Sequence, residues 1–259
     1  MVLAFDIGNS NITIGVFDKN KENIDELTFM SRLITDRGMD AEAYADKIKF
    51  ILASNNKTIS DIEGAVICSV VPPVTSSVSA ALEALTGKKP VIVDSDTDYG
   101  LTIQMDNPKK VGTDLLVGAG QALSKYEAPL CVVDLGTFTT LCYVSGEKEY
   151  QGTIIIPGIR TTADSYTRAA QLFSFEIDSP GALLGTNTND SMLSGLMNGA
   201  ASMIDGLVDR IEDEKGPLKT VVVTGGFSRL IVPLLKHGAV IDENLLLDGL
   251  CRLYYDNRG

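Results

Sequence analysis

The segment Asp6-Ile7-Gly8-Asn9-Ser10-Asn11 near the start of the chain has a counterpart about half a chain later, Asp134-Leu135-Gly136-Thr137-Phe138-Thr139. An apolar run precedes each segment, and an alternating pattern of apolar and polar residues follows it. This arrangement predicts a strand, a tight turn and a second strand at both places. Its repetition predicts a duplicated domain.

Each turn contains the residue types of a phosphate-binding hairpin. We expect Gly8 and Gly136 to adopt a positive φ, so that backbone N–H groups converge on an anion, and we expect Asp6 and Asp134 to lie where a hydrated Mg²⁺ or a monovalent ion is held. The side chains that can add hydrogen-bond donors are Asn9, Ser10 and Asn11 in the first turn and Thr137, Thr139 and Thr140 in the second. Two ordinary hairpins are the alternative, because Asp, Gly, Asn and Ser are also common turn formers. The paired occurrence in matching strand context favours phosphate binding.

Composition excludes several classes of protein. The chain has 259 residues, 44% of them hydrophobic, which is ample for one large domain or two ordinary ones. Its 22 basic and 34 acidic residues give a net charge of −12, which is unfavourable for binding nucleic acid or an anionic membrane. A phosphorylated ligand therefore needs local donors and a cation.

Neither the cysteines nor the single histidine is predicted to be catalytic. The four cysteines are far apart in the chain and have no metal-ligand spacing, so they are interpreted as buried thiols in a reducing compartment: Cys68, Cys131, Cys142 and Cys251. Because no signal peptide or membrane-spanning run is found, the expected location is the cytoplasm. His237, near Gly238, is interpreted as a cap or a solvated residue.

Hydrophobic periodicity predicts the element order βββαβαβ for the first half, and the second half repeats the pattern. The expected fold is α/β with mixed sheets flanked by helices. Thr224-Gly225-Gly226 follows the strand Val221–Val223 at its carboxyl end, where open sheets bind ligands. Gly225 and Gly226 therefore suit close approach of a flat ring or a ribose, and a plain turn before a helix is the alternative.

Asp114 lies in the first turn of a helix predicted from Leu115 to Tyr126. A carboxylate at this position commonly complements the helix dipole. At a cleft between two lobes it is also where a base must stand to take a proton from a hydroxyl that attacks a γ-phosphate. Both interpretations stay open on the residues alone.

The ordered motifs together resemble the type III pantothenate kinases of the acetate and sugar kinase/Hsp70/actin superfamily. The resemblance covers essentially the whole chain. Its motifs are Asp6–Asn11, Ser69-Val70-Val71-Pro72-Pro73, Asn107-Pro108, Val111-Gly112-Thr113-Asp114, Asp134–Thr140, Pro157-Gly158-Ile159, Gly185-Thr186-Asn187-Thr188 and Thr224-Gly225-Gly226. It implies two duplicated ribonuclease H-like (actin-type) domains, an N-terminal lobe of residues 1–113 and a C-terminal lobe of residues 114–259, with an ATP cleft between them.

The resemblance also implies an activity and a set of site residues. The family transfers the γ-phosphate of ATP to pantothenate, giving 4'-phosphopantothenate in the first step of coenzyme A biosynthesis, as a homodimer that uses Mg²⁺ and K⁺ or NH₄⁺. The implied ATP contacts are Asp6, Ile7, Gly8, Asn9, Ser10, Asn11, Ile12, Thr13 and Thr137, to which Gly225 and Gly226 are added from the sheet argument. The implied acceptor contacts are Met105, Gly112, Thr113, Asp114, Leu115 and Thr188. Asp114 resembles the catalytic proton acceptor, Asp134 the ligand of the monovalent cation, and Asp6 would hold Mg²⁺ through water.

The chain departs from the family pattern on the acceptor side. The family run Gly-Ala-Asp-Arg is here Gly112-Thr113-Asp114-Leu115, so an arginine that helps to hold pantothenate is replaced by a residue without a donor. Met105 stands where a tyrosine is frequent, and Phe138 and Phe173 are larger than is usual in the family. Losing a guanidinium partner of a carboxylate costs about 2 kcal/mol.

These departures keep two other functions open. One is a kinase for another small alcohol, and the other is a nucleotide-binding regulatory protein with weak or no kinase activity. Asp114 argues against a purely regulatory role, because nucleotide binding alone has no need of it. The small residues of the predicted helix from Ser191 to Glu214 suit packing against a second copy or within one chain.

Overall fold

The computed structural model describes residues 1–19, 25–170 and 176–257. Two compact units are formed. Unit 1 comprises Met1–Tyr99, Asn107–Gln121 and Leu246–Gly259, and unit 2 comprises Gly100–Asp106 and Ala122–Leu245. Phe173 lies outside the described residues.

Unit 1 has a five-stranded mixed sheet in the order β3-β2-β1-β4-β5. Its strands are β1 (Val2–Ile7), β2 (Asn11–Lys19), β3 (Asp25–Ile34), β4 (Gly64–Ser69) and β5 (Val91–Ile92). The first three strands are antiparallel neighbours, and β1, β4 and β5 are parallel. Its first two helices are α1 (Ala41–Ser54) and α2 (Pro72–Thr86).

Local signals explain where these two helices begin and end. The Asp40 side chain accepts a hydrogen bond from the Ala43 N–H at 2.9 Å, which caps α1. Helix α2 begins with Pro72 and ends at Gly87, whose φ is 70°. The apolar face of α1, including Tyr44, Ile48 and Leu52, packs into the core with Leu3, Phe5 and Ile7 of β1.

Unit 2 repeats this architecture. Its sheet has the order β11-β10-β7-β8-β9-β6, and its strands are β6 (Thr102–Ile103), β7 (Leu130–Leu135), β8 (Phe138–Val144), β9 (Glu149–Pro157), β10 (Thr220–Gly225) and β11 (Val240–Ile241). Its helices are α4 (Ile159–Ala170), α5 (Thr188–Lys215) and α6 (Ser228–Ile231). Helix α3 (Thr113–Lys125) contributes residues to both units.

The two sheets share one topology. The order β9-β8-β7-β10-β11 in unit 2 corresponds strand for strand to β3-β2-β1-β4-β5 in unit 1, with antiparallel pairs on one side and parallel pairs on the other. The predicted duplication and the α/β class with mixed sheets and flanking helices are thereby confirmed.

The C-terminal helix α7 (Leu245–Asn257) packs almost entirely within unit 1. Gly249 lies so close to α3 that a Cβ there would be 2.8 Å from Val117 Cγ1. Gly64 of β4 leaves room for the ring of Tyr254, and a Cβ at Gly15 of β2 would be 3.1 Å from Leu247 Cδ1. The second face of the unit 1 sheet is therefore completed by a segment that is distant in sequence.

Several predictions about elements need correction. The last strand of the order βββαβαβ predicted for the first half is present only as β5, a two-residue edge strand in which Ile92 is 46% exposed. The strands β6 and β11 and the helix α7 were not predicted. The units defined by packing have a different membership, because α7 joins unit 1 and Gly100–Asp106 joins unit 2, and the lobes 1–113 and 114–259 stay a prediction.

Candidate functional site

The first predicted turn connects β1 to β2. The Gly8 N–H donates to the Asn11 carbonyl at 2.9 Å and closes the turn over Asn9 and Ser10. The side chains of Asn9, Ser10 and Asn11 are exposed. Their polar groups are thus accessible to a ligand at the end of a buried strand.

The segment after β3 braces this turn. The Thr35 hydroxyl donates to the Gly8 carbonyl at 2.7 Å, and the Thr35 N–H donates to the Ser10 carbonyl at 3.1 Å. Arg37 Nη2 donates to Asn9 Oδ1 at 3.1 Å. Nothing in the local sequence of Thr35–Gly38 indicates that this segment contacts the turn. The brace adds an exposed guanidinium beside the predicted phosphate site.

The expected glycine conformation is wrong in both turns. Neither Gly8 nor Gly136 has a positive φ. A Cβ at Gly8 would lie 3.3 Å from the Asn11 carbonyl oxygen, and one at Gly136 would lie 3.4 Å from that of Phe138. These glycines therefore keep the turn surfaces free of a side chain and do not supply a left-handed bend.

Two acidic residues of unit 1 converge on Cys68. Asp6 of β1 pairs with Cys68 of β4 in the parallel register, and Cys68 Sγ lies 3.2 Å from Thr113 Oγ1 at the start of α3. Burial raises the pKa of the Cys68 thiol well above its usual value, and the negative charges of Asp6 and Asp114 raise it further. The structure thus brings Asp6, Thr113 and Asp114 together around a buried, protonated thiol.

The carboxylate of Asp114 is held over the glycine that precedes the helix. Asp114 Oδ1 accepts the Leu115 N–H at 2.9 Å, and a Cβ at Gly112 would lie 2.5 Å from the same oxygen. Burial raises the pKa of Asp114 above its usual value of 3.8, and backbone N–H groups oppose that shift. A raised pKa moves a carboxylate toward the range in which it exchanges protons effectively.

In unit 2, the second predicted turn connects β7 to β8. The Gly136 N–H donates to the Phe138 carbonyl at 3.1 Å, while Phe138 itself is 54% exposed. The start of α4 braces the turn, because the Gly158 N–H and the Thr161 hydroxyl both donate to the Thr137 carbonyl, at 3.1 and 2.8 Å. A Cβ at Gly158 would clash with this turn, so glycine is required there.

Asp134 and Gly225 are in close contact in unit 2. Gly225, at the end of β10, has a φ of 89°, and a Cβ there would lie 2.7 Å from Asp134 Oδ1. Asp134 pairs with Thr140 across β7 and β8, so their side chains share one face of the sheet. Thr140 Oγ1 is buried without a hydrogen-bond partner. A carboxylate and an unsatisfied hydroxyl oxygen therefore lie on the same patch of sheet.

The remaining predicted residues of unit 2 lie elsewhere on it. Thr188 is exposed at the first position of α5, where the Asn187 side chain caps the helix by accepting the Asp190 N–H at 3.0 Å. Met105 follows β6 and is half-buried.

Among residues 1–19, 25–170 and 176–257, no helix has both the length and the apolar character needed to cross a bilayer.

Comparison with known proteins decides the family. The family model described as type III pantothenate kinase matches residues 2–210. A type III pantothenate kinase from Exiguobacterium sibiricum is 37% identical over 261 residues, covering 100% of this chain and 100% of that protein. The chain belongs to the type III pantothenate kinase family. A relative of the same name from Bacillus cytotoxicus is 36% identical and covers 99% of this chain and 97% of its own length.

Solved structures agree on the fold of this type III pantothenate kinase family member. A protein assigned to the Baf family of transcriptional activators, from Campylobacter jejuni, is 17% identical with a TM-score of 0.60, covering 98% of each chain. A candidate N-acetylmannosamine kinase from Listeria monocytogenes is 11% identical with a TM-score of 0.51, covering 100% of this chain and 99% of its own. At these identities the likeness shows the fold alone.

The site residues of the pantothenate kinase pattern fall into two groups. In unit 1 the structure gathers Asp6, the turn Gly8–Asn11, and the α3 start from Gly112 to Leu115. In unit 2 it gathers Asp134, Gly225 and Thr140. The roles of the individual residues, including Thr137 and Gly226, stay predictions.

Proposed function

We propose that this chain transfers the γ-phosphate of ATP to the primary hydroxyl of pantothenate and forms 4'-phosphopantothenate, the first step of coenzyme A biosynthesis. Membership of the type III pantothenate kinase family over essentially the full chain supports the reaction. The observation that carries the assignment of residues is the convergence of Asp6 and Asp114 around Cys68. Asp6 lies beside the predicted phosphate turn, and Asp114 lies at the start of α3.

Phosphoryl transfer requires alignment and neutralisation of charge more than covalent help. In the proposed mechanism, the polar groups of Asn9, Ser10 and Asn11 donate to the phosphates of ATP, from a turn that Thr35 and Arg37 hold in place. Residues Ile7, Ile12 and Thr13 position this turn at the end of its two strands. Thr137, Gly225 and Gly226 are the proposed ATP contacts in unit 2.

Asp114 is the proposed proton acceptor. Its carboxylate takes the proton of the pantothenate hydroxyl as the oxygen attacks the γ-phosphorus and the bond from that phosphorus to the bridging oxygen of ADP breaks. Burial raises the pKa of Asp114, which strengthens its carboxylate as a base. The N–H of Leu115 orients the carboxylate during this step.

The residues present fit the cations of the proposed reaction. Asp6 is half-buried and is one of the acids that raise the pKa of Cys68, so an accumulated negative charge at this point suits Mg²⁺ held through water. Asp134 and the unsatisfied Thr140 hydroxyl suit K⁺ or NH₄⁺. Mg²⁺ supplies neutralisation of charge on the phosphates when bound.

The acceptor contacts that we propose are Met105, Gly112, Thr113, Leu115 and Thr188. Leu115 has no donor for the pantothenate carboxylate, and this is the specific observation that favours a second candidate, a kinase for another small alcohol. Such an acceptor would carry the hydroxyl to be phosphorylated without needing a guanidinium.

We also propose a homodimer. Gly195, Gly199 and Ala200 of α5 line a groove with Pro157 and Met203, and the Met203 side chain is 41% exposed. Small residues on a helix allow a second backbone to approach closely.

The four buried free cysteines support the cytoplasm as the proposed compartment.

A coupled assay of ADP release tests the function. The purified chain is given ATP, Mg²⁺ and K⁺, with pantothenate, with other small alcohols, or with no acceptor. Release that depends on pantothenate supports the proposal, and release with another alcohol alone supports the second candidate. Nucleotide binding without turnover would contradict both and support a regulatory role. Asp114→Asn should abolish turnover and leave ATP binding nearly intact.

A further inference from the structure

Three potential metal ligands lie together in unit 2, among residues to which the proposed kinase mechanism gives no part. They are Asp209 and Glu212 of α5 and His237, and one ligand atom from each lies within 4.8 Å of the others. Asp209 and Glu212 are three residues apart, so they share a face of the helix. His237 Nε2 lies 2.8 Å from Asp209 Oδ1.

The backbone around this cluster is held in place. Asp205, 6% exposed, accepts the Lys236 N–H with both carboxylate oxygens at 3.0 Å and the His237 N–H at 3.3 Å. Glu212 Oε1 accepts the Leu218 N–H at 2.9 Å. The loop that carries His237 is therefore fastened to α5 one turn before Asp209, independently of any contact made by the imidazole.

We propose that Asp209, Glu212 and His237 form a site for a divalent transition-metal ion of the Zn²⁺ or Co²⁺ type. An imidazole nitrogen with two carboxylate oxygens is a ligand set that such ions accept, with water at the open positions. Mg²⁺ prefers oxygen ligands and is not expected here. Ligand atoms lie about 2.0–2.2 Å from a bound Zn²⁺. Small side-chain rotations would therefore bring the three ligand atoms close enough to hold one ion. The bound ion would tie the end of α5 to the His237 loop.

His237 is the only histidine of the chain, so a sample labelled with ¹⁵N-histidine reports on this site alone. The metal-stripped full-length chain is titrated with Zn²⁺ in the presence of excess Mg²⁺, and the imidazole resonances are followed by NMR. We expect the imidazole resonances to change and the change to saturate at one Zn²⁺ per chain. Asp209→Asn and Glu212→Gln should each weaken Zn²⁺ binding by more than about tenfold, the lower end of what even outer-shell partners contribute.

Asp213→Asn is the matched control, because Asp213 is an exposed acid of the same helix turn outside the cluster. It should bind Zn²⁺ like the wild type. Glu212→Gln could also disturb the hydrogen bond from the Leu218 N–H. Asp209→Asn changes an exposed side chain, so it tests the site without that effect. Unchanged imidazole resonances at stoichiometric Zn²⁺, or equal Zn²⁺ affinity in the wild type and both ligand variants, would overturn the site.

Discussion

At the scale of single residues, the Asp114 carboxylate occupies space that exists because residue 112 has no side chain. The Leu115 N–H then fixes its direction. Glycine is required here by close approach, since the φ of Gly112 is not positive. Residue 112 therefore positions the proposed base, in addition to its proposed contact with the acceptor.

Gly112→Ala tests this positioning. The added methyl group must displace the carboxylate, and a displacement of about 1 Å can cost about 100-fold in rate, so kcat should fall strongly while ATP affinity is kept. Steady-state kinetics and equilibrium ATP binding provide the measurement. Gly118→Ala in the same helix is the control, because nothing lies within 4 Å of its Cβ position. A wild-type kcat in Gly112→Ala would remove Asp114 from its role.

The raised pKa of Asp114 also predicts an effect on stability. The native state holds the Asp114 proton more tightly than the unfolded chain does, so this group favours folding at low pH, and its contribution is lost as the pH rises through its native pKa. Asp114→Asn should therefore raise the melting temperature at pH 7 relative to the wild type. The difference in melting temperature should shrink when the pH falls below about 3.9, the pKa of an aspartate in an unfolded chain. Thermal unfolding from pH 3 to pH 7 checks the trend, and a destabilised variant at pH 7 contradicts it.

The departure at Leu115 predicts a gain from restoring the family residue. Leu115→Arg would return a charge-assisted partner for the pantothenate carboxylate, worth about 2 kcal/mol, which is about 30-fold in affinity. The KM for pantothenate should fall and the KM for ATP should stay the same. Leu115→Met, which adds no donor, is the control. An unchanged KM for pantothenate would mean that position 115 does not face the acceptor carboxylate.

At the scale of elements, the two hairpins and their braces show what sequence can and cannot predict. The strands on both sides of Gly8 and Gly136 were predicted because their apolar runs and turn residues are local signals. The braces were missed, since Thr35 lies 27 residues from Gly8 and Thr161 lies 24 residues from Thr137. The positive φ expected of the two glycines was wrong because turn composition does not specify the bend.

The brace of the first hairpin can be tested on its own. Thr35→Val removes the hydroxyl that donates to the Gly8 carbonyl, which should cost about 1 kcal/mol of unfolding free energy and raise the KM for ATP. Chemical denaturation and ATP kinetics measure the two effects. Thr28→Val on β3 is the control, because the hydrogen bonds from the Thr28 hydroxyl to Asp18 and to the Glu26 carbonyl are long and exposed, at 3.3 and 3.5 Å. Equal ATP kinetics in both variants would show that the brace does not support the phosphate turn.

At the scale of the whole molecule, the duplicated topology followed from one repeated motif, whereas the membership of the units did not. Strand and helix periodicity cannot reveal that α7 packs on β2 and β4, because the contacts of Gly15 and Gly64 with Leu247 and Tyr254 are made across most of the chain. Such pairings depend on tertiary packing, which a single sequence does not display.

The proposed homodimer belongs to this scale. Gly199→Arg should convert the dimer to a monomer, because nothing lies within 4 Å of its Cβ position in one chain, whereas a second chain on α5 would meet the new side chain. Size-exclusion chromatography with light scattering gives the mass. Gly146→Arg adds the same charge at another open position and should leave the dimer intact. If the Gly199→Arg variant remains a dimer, the interface lies away from α5.

The packing of α7 has a consequence for synthesis on the ribosome. Residues 122–245 must be translated between most of unit 1 and the helix that covers its sheet. Until Leu247 and Tyr254 emerge, the face of the early sheet around Gly15 and Gly64 stays bare, while unit 2 already has nearly all of its own chain. We therefore expect the amino-terminal half to mature later, and a nascent chain stalled before α7 should expose an apolar surface to chaperones.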